Sequence, residues 1–123
     1  MILRKIRPIF FENSRLPVIL SKLAPININA IALFPFVFAK GTLTETSKRH
    51  ETIHFQQQLE TGVIGFYIIY LWDYVRNLRK GMSGKEAYFD LRAEREAYHN
   101  QADEDYLIKR KRYVWLRGVK KYV

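Results

Sequence analysis

The 123-residue chain has no cysteine. Disulfides and thiolate metal sites are therefore excluded, and any bound metal must rely on imidazole and carboxylate donors. A long apolar run is missing as well. Residues 62 to 72 (GVIGFYIIYLW) are halted by Asp73 and Arg76, well short of the roughly 20 residues a bilayer-spanning helix needs. Residues 23 to 39 are apolar but interrupted by Pro25, Asn27, Asn29 and Pro35, and Pro8, Glu12, Asn13 and Pro17 break any secretory h-region near the start. The expectation is a cytoplasmic protein or one bound peripherally to a membrane. Tyr67, Tyr70, Trp72 and Tyr74 are residue types favoured at interfaces, which keeps the second option in view.

What is present is positive charge, a formal net +9. It is concentrated at the ends: Arg4, Lys5, Arg7 and Arg15 at one, and Lys109, Arg110, Lys111, Arg112, Arg117, Lys120 and Lys121 at the other. Acidic residues gather between Glu86 and Asp105. Basic ends interleaved with Tyr113, Trp115 and Tyr122 suit an anionic membrane surface; solvated termini explain them equally well. Nucleic acid is a weaker partner, because no recognised nucleic-acid-binding motif accompanies the charge. Length, and the lack of repeats, low-complexity tracts or linkers, predict a single domain over residues 1–123 with basic ends.

The patterning predicts an α+β fold, mainly helical, with three main helices preceded by one or two short strands. Three of the four prolines lie in the first 25 residues, which should be irregular apart from a short helix around Arg15 to Leu23. Ile26 to Ala39 reads as strand, with Pro35 marking an edge or bulge, and Lys40-Gly41 turns the chain. A helix capped by Thr44, Thr46 or Ser47 should run to about Glu60, with Gly62 and Gly65 as breakers. Val63 to Leu78 is apolar all round and is either the central buried helix or membrane-facing. Arg76, Arg79 and Lys80 suit its C-terminus, and Gly81 stops it. Ser83 and Glu86 have capping-box spacing and open a long helix expected to reach Asp105.

The chemistry concentrates in His50-Glu51-Thr52-Ile53-His54, an H-E-x-x-H pattern. Histidines four apart stand one turn above each other on a helix and can present two imidazole nitrogens to one point, while Glu51, one step round, can reach a water held there. The bland alternative is two surface histidines on a polar helix. A third ligand is required, and helix phase selects it. Ala87, Leu91, Tyr98 and Ala102 define an inward stripe whose missing position is Glu94, whereas Glu96 lies about 200° away. An unpaired inward carboxylate is costly, so Glu94 needs a metal or a cation such as Arg92 or Arg95. His50, His54 and Glu94 would hold one Zn2+ ion, with Glu51 as the general base. Gln57 and Asp90 are candidates to support the ligands from behind, and His99 is a spare ligand.

H-E-T-I-H followed by Glu94-Arg95-Glu96-Ala97-Tyr98 resembles the gluzincin zinc peptidases, and the second stretch is similar to the E-x-x-A-D element of the CAAX prenyl protease group. The wider layout also resembles small bacterial proteins in which H-E-x-x-H precedes E-R-E-A-Y. The resemblance implies zinc bound by His50, His54 and Glu94, and peptide-bond hydrolysis with Glu51 as catalytic base. It further implies a peptide or protein substrate laid along an edge strand within Ile28 to Phe38. The aspartate of the E-x-x-A-D element falls on Tyr98, a departure at the position that supports the ligand. The alternatives from other classes are a non-catalytic metal-binding protein and a peripheral membrane scaffold with basic, aromatic ends.

Overall fold

The computed structural model describes residues 6–23 and 30–117. Three strands precede the motif helix: β1 (Ile9–Phe11), then helix α1 (Leu16–Leu23), then β2 (Ala30–Leu33) and β3 (Phe36–Ala39). They form one sheet in the order β1-β3-β2, with β1 parallel and β2 antiparallel to β3. Helices α2 (Glu45–Glu60), α3 (Ile64–Arg79), α4 (Gly84–Phe89), α5 (Arg92–Asn100) and α6 (Tyr106–Lys109) follow, and a 3-10 turn spans Val114–Arg117. The class is α+β and mainly helical, as expected.

The single strand expected over Ile26 to Ala39 is a hairpin. Its turn falls at Phe34-Pro35, so Pro35 sits at the tip, where no ladder donor is needed. Residues 26–29 lie outside the described residues. Strand β1 answers to no alternation in the sequence; three residues are too short for a period-2 signal. The short helix expected near Arg15 to Leu23 is present as α1.

Thr44 caps α2, its side-chain oxygen accepting the Ser47 amide at 3.0 Å. The helix ends at Glu60, and Gly62 follows at φ 67, a left-handed conformation that glycine adopts freely. Val63 shares the left-handed side at φ 66 and ψ −63, closing a γ-turn in which Ile64 N–H donates to Gly62 C=O at 2.7 Å. This tight, strained link turns the chain from α2 straight into α3. The Ser83–Glu86 capping box forms at the start of α4. The long helix expected from there to Asp105 is instead two, because Leu91 takes extended dihedrals (φ −64, ψ 138) between α4 and α5.

The helices also invert their hydropathy. Polar α2 is the buried one: His50, Thr52, His54, Gln56, Gln57, Gln58 and Glu60 are all interior. Apolar α3 buries Phe66, Asp73 and Asn77 and leaves its other side in solvent. Burying so many polar groups is tolerable only if each finds a partner. Arg110, 3% exposed, supplies much of this. Its guanidinium spans Glu60 (Nη1–Oε2 2.6 Å, Nη2–Oε1 2.9 Å) and Glu96 (Nη2–Oε1 3.0 Å). Trp115 Nε1 donates to Glu60 Oε1 at 3.1 Å, and Tyr106 O–H to Glu96 Oε2 at 2.6 Å. This cluster fastens the C-terminal segment to α2 and α5, beside an apolar core of Phe66, Ala93 and Trp115.

Replacing Arg110 by Leu leaves buried Glu96 without its cation and Glu60 with Arg112 alone, and removal of one member of a buried ion pair typically costs about 3–5 kcal/mol. Urea unfolding of Arg110→Leu should show a loss of that size; a midpoint equal to wild type would mean that Glu60 and Glu96 are not held as described.

Candidate metal centre

Helices α2 and α5 pack side by side and bring the predicted ligands together. His50 and His54 are 6% and 5% exposed, so they are not surface histidines. Glu94 is 3% exposed and comes from the first turn of α5. His50 Nε2, His54 Nε2 and Glu94 Oε1 stand at the corners of a triangle with every edge 3.1 Å. Neither suggested arginine neutralises Glu94: Arg92 forks onto Asp73 at 2.8 and 2.9 Å, and Arg95 pairs with Asp90 at 2.5 Å.

The tautomers follow from the partners behind the rings. The Gln57 amide nitrogen donates to Ala93 C=O at 3.1 Å and to Glu96 Oε1 at 2.9 Å, so the amide oxygen must face His54. That oxygen accepts from His54 Nδ1–H at 2.8 Å, and Gln101 Oε1 accepts from His50 Nδ1–H at the same distance. With Nδ1 protonated, each neutral imidazole turns its Nε2 lone pair inward. Two nitrogen lone pairs and a carboxylate oxygen then converge on one point, an arrangement that requires protons or a cation between them. Two ligands about 2.05 Å from a tetrahedral ion lie roughly 3.3 Å apart, close to the edges observed. His50, His54 and Glu94 can therefore hold a metal ion.

Glutamine thus holds both rings, where Gln57 and Asp90 had been the candidates; Asp90 turns away to Arg95. Sequence reasoning missed Gln101, which lies past the helix end, and Tyr70. The Tyr70 hydroxyl donates to Glu94 Oε2 at 2.7 Å and so fixes the carboxylate from its far side. A phenol facing the interior of an apolar helix must find an acceptor, and that was the available signal. Tyr98 contributes an aromatic edge, its ring centroid 4.5 Å from that of His50, rather than the carboxylate of the E-x-x-A-D element. His99 is exposed on the opposite side of α5 and takes no part in the triangle.

Glu51 stands at the triangle's edge without joining it. It lines a cleft of about 220 Å3 with the triad, Ala30 to Ala32 of β2, Phe66, Tyr67 and Tyr70 of α3, and Tyr88 of α4. Burial pushes the Glu51 carboxyl above its ordinary range, against the pull of His54 and His50 and with some help from Glu94. Glu94 goes the other way: burial opposes it, but His54 and His50, by charge and hydrogen bonding, hold its carboxyl far below the ordinary range. Burial alone would lower the His54 imidazolium, yet the Glu94 carboxylate outweighs it, with Glu51 and Gln57 adding, and raises it to about 9 from 6.5. Burial and the nearby Glu94 charge keep Tyr70 a protonated donor.

Compared with models of protein families, with curated proteins and with solved structures, the chain matches none.

Metal-free protein holds a proton on His54 in the folded state that the unfolded chain loses above about pH 6.5, so this contribution to stability is complete below pH 6.5 and fades as pH rises through 9. Metal must displace that proton, so titration calorimetry in buffers of different ionisation enthalpy should show proton release at pH 7, declining above pH 9. Replacing Gln57 or Gln101 by Leu should weaken divalent-metal affinity by about 10- to 100-fold each. Unchanged affinity in both would remove the tautomer argument.

Proposed function

We propose that the protein is a zinc-dependent hydrolase of peptide bonds, a minimal peptidase of the gluzincin type, working in the cleft beside His50, His54 and Glu94. The observation that carries this reading is the contrast between two neighbouring carboxylates. Glu94 is pinned between imidazoles and Tyr70, with its carboxyl lowered; Glu51 lines the cleft with its carboxyl raised and accepts no hydrogen bond from the described residues. Paired carboxylates whose surroundings push their titrations apart commonly divide the labour of ligand and base. A structural carboxylate would be tied down as Glu60 and Glu96 are.

A zinc ion held by His50, His54 and Glu94 would supply Lewis-acid polarisation of the scissile carbonyl and acidify a water towards neutral pH. Glu51, facing the cleft, would take the proton of the attacking water and hand it to the leaving nitrogen; a raised carboxyl is suited to both transfers. Gln57 and Gln101 keep the imidazole lone pairs directed inward, and Tyr70 keeps the Glu94 carboxylate turned towards them.

The substrate side is β2, an edge strand. Its Ala32 C=O accepts from Tyr67 O–H at 2.9 Å and therefore faces away from β3. Alternation along a strand puts the N–H and C=O of Ala30 on that same free edge, within the wall of the cleft. An extended peptide laid there would gain main-chain hydrogen bonds while Phe66, Tyr67 and Tyr70 bound its side chains.

With one equivalent of zinc, wild-type protein should cleave an unstructured fluorogenic peptide mixture. Glu51→Gln should keep the zinc and lose activity by at least about 100-fold, whereas His50→Ala and Glu94→Ala should lose the zinc itself. Stoichiometric zinc with no cleavage by wild type, or equal activity in Glu51→Gln, would leave a metal-binding protein that is not a peptidase.

A further inference from the structure

Helix α3 is built with two unlike sides. Phe66, Asp73 and Asn77 face the protein, and the opposite side carries Ile64, Ile68, Leu71, Trp72, Val75 and Leu78 in solvent, at 40–71% exposure. At 100° per residue these positions, with Tyr67 at one margin, cover an arc of about 140° and run about 21 Å along the helix. Scattered exposed apolar residues need no explanation, but a continuous stripe of this size marks a contact surface. It continues onto the hairpin. Tyr67, 38% exposed, bonds to the backbone of Ala32, and beyond it Leu33 and Phe36 are register partners that are both exposed.

The exposed charge of α3 itself has one sign. The only acid of α3, Asp73, is 2% exposed and forked by Arg92. Arg76, Arg79 and Lys80 are exposed at the C-terminal end, and the first two border a shallow groove with Trp72 and Val75. None of the three strands contains an acidic residue. A protein partner would have to match an apolar stripe of a full helix length edged by arginines; a bilayer surface carrying anionic headgroups matches it without further specificity, since acyl chains take the stripe while phosphates meet the guanidinium groups. Among the described residues no helix is long and apolar enough to cross a membrane, so the contact lies in the plane of the surface.

We propose that the solvent-facing side of α3, with the hairpin tip at Leu33 and Phe36, docks on the surface of an anionic lipid bilayer. This holds whether or not the metal centre is catalytic. The other side of α3 and the β2 edge wall the cleft, so docking sets the candidate metal centre just behind the membrane-bound elements.

The test uses the full-length protein with phosphatidylcholine vesicles, with and without phosphatidylserine. Tryptophan emission reports the contact, because Trp115 is already buried (0% exposed) and Trp72 is 66% exposed. The expected result is co-sedimentation with the anionic vesicles only, weakened by salt, with a blue shift that Trp72→Phe abolishes. Ile68→Glu combined with Leu71→Glu should lower partitioning by about tenfold or more while circular dichroism shows an unchanged fold. Arg76→Gln with Arg79→Gln should reduce the preference for anionic over neutral vesicles. The proposal is overturned by absence of binding, by binding that survives Ile68→Glu/Leu71→Glu, by equal binding to neutral vesicles, or by a concentration-dependent dimer that the same double variant dissolves, which would make a second copy of this chain the occupant.

Discussion

Helix α5 carries two carboxylates into the protein interior, and their burial is the constraint on which the surrounding structure depends. Glu94 and Glu96 sit two residues apart and leave the helix on different sides. In a low-dielectric interior neither charge is tolerable without partners. On one side the chain provides them outright: Arg110, Tyr106 and Gln57 reach Glu96, and Arg110 also holds Glu60. On the other side stand two imidazoles and a phenol. Gln57 touches both regions, its amide nitrogen on Glu96 and its amide oxygen on His54, so the ion-pair cluster fixes the orientation of a candidate metal ligand. A polar helix such as α2 can be central only because these partners exist.

How much of this was legible depends on how local each signal is. The C-terminal limit of α2, the Ser83–Glu86 box and the Gly81 stop are written in neighbouring residues and could be read directly, while the cap of α2 was narrowed to Thr44, Thr46 or Ser47, of which the fold uses Thr44. Glu94 was also legible, although the stripe that selected it runs through Leu91, where α4 and α5 are in fact separated. The selection holds because Glu94 and Tyr98 lie one turn apart within α5, and both face His50. Glu96 was placed on another side of the helix with no partner assigned: its partner Arg110 is 14 residues on and follows a turn and a short helix. No helical period reports a contact of that separation. The hairpin at Pro35 was hidden for a related reason, since apolar residues continue through its turn. Inverted burial of α2 and α3 was hidden because hydropathy reports what a helix tolerates, not what surrounds it.

The two charged clusters differ in how they reach neutrality, and that difference bears on what the first one is for. Glu60 and Glu96 face Arg110 and Arg112, two negative charges against two positive ones, all carried by the chain. Among the described residues, the groups that can bring positive charge to Glu51 and Glu94 are His50 and His54, whose inward nitrogens carry lone pairs once Gln101 and Gln57 hold their other protons. With neutral imidazoles the Glu94 carboxylate lacks a compensating positive charge, and a metal ion held where the three donor atoms converge would supply it. Without a metal a proton takes that place, as the raised His54 shows. A site meant only to stabilise the fold would be better served by a third arginine, and the chain, with 21 lysines and arginines, does not lack for them. What the interior keeps instead is a group of three donor atoms that can hold a metal ion, with one carboxylate locked among them and another facing the cleft.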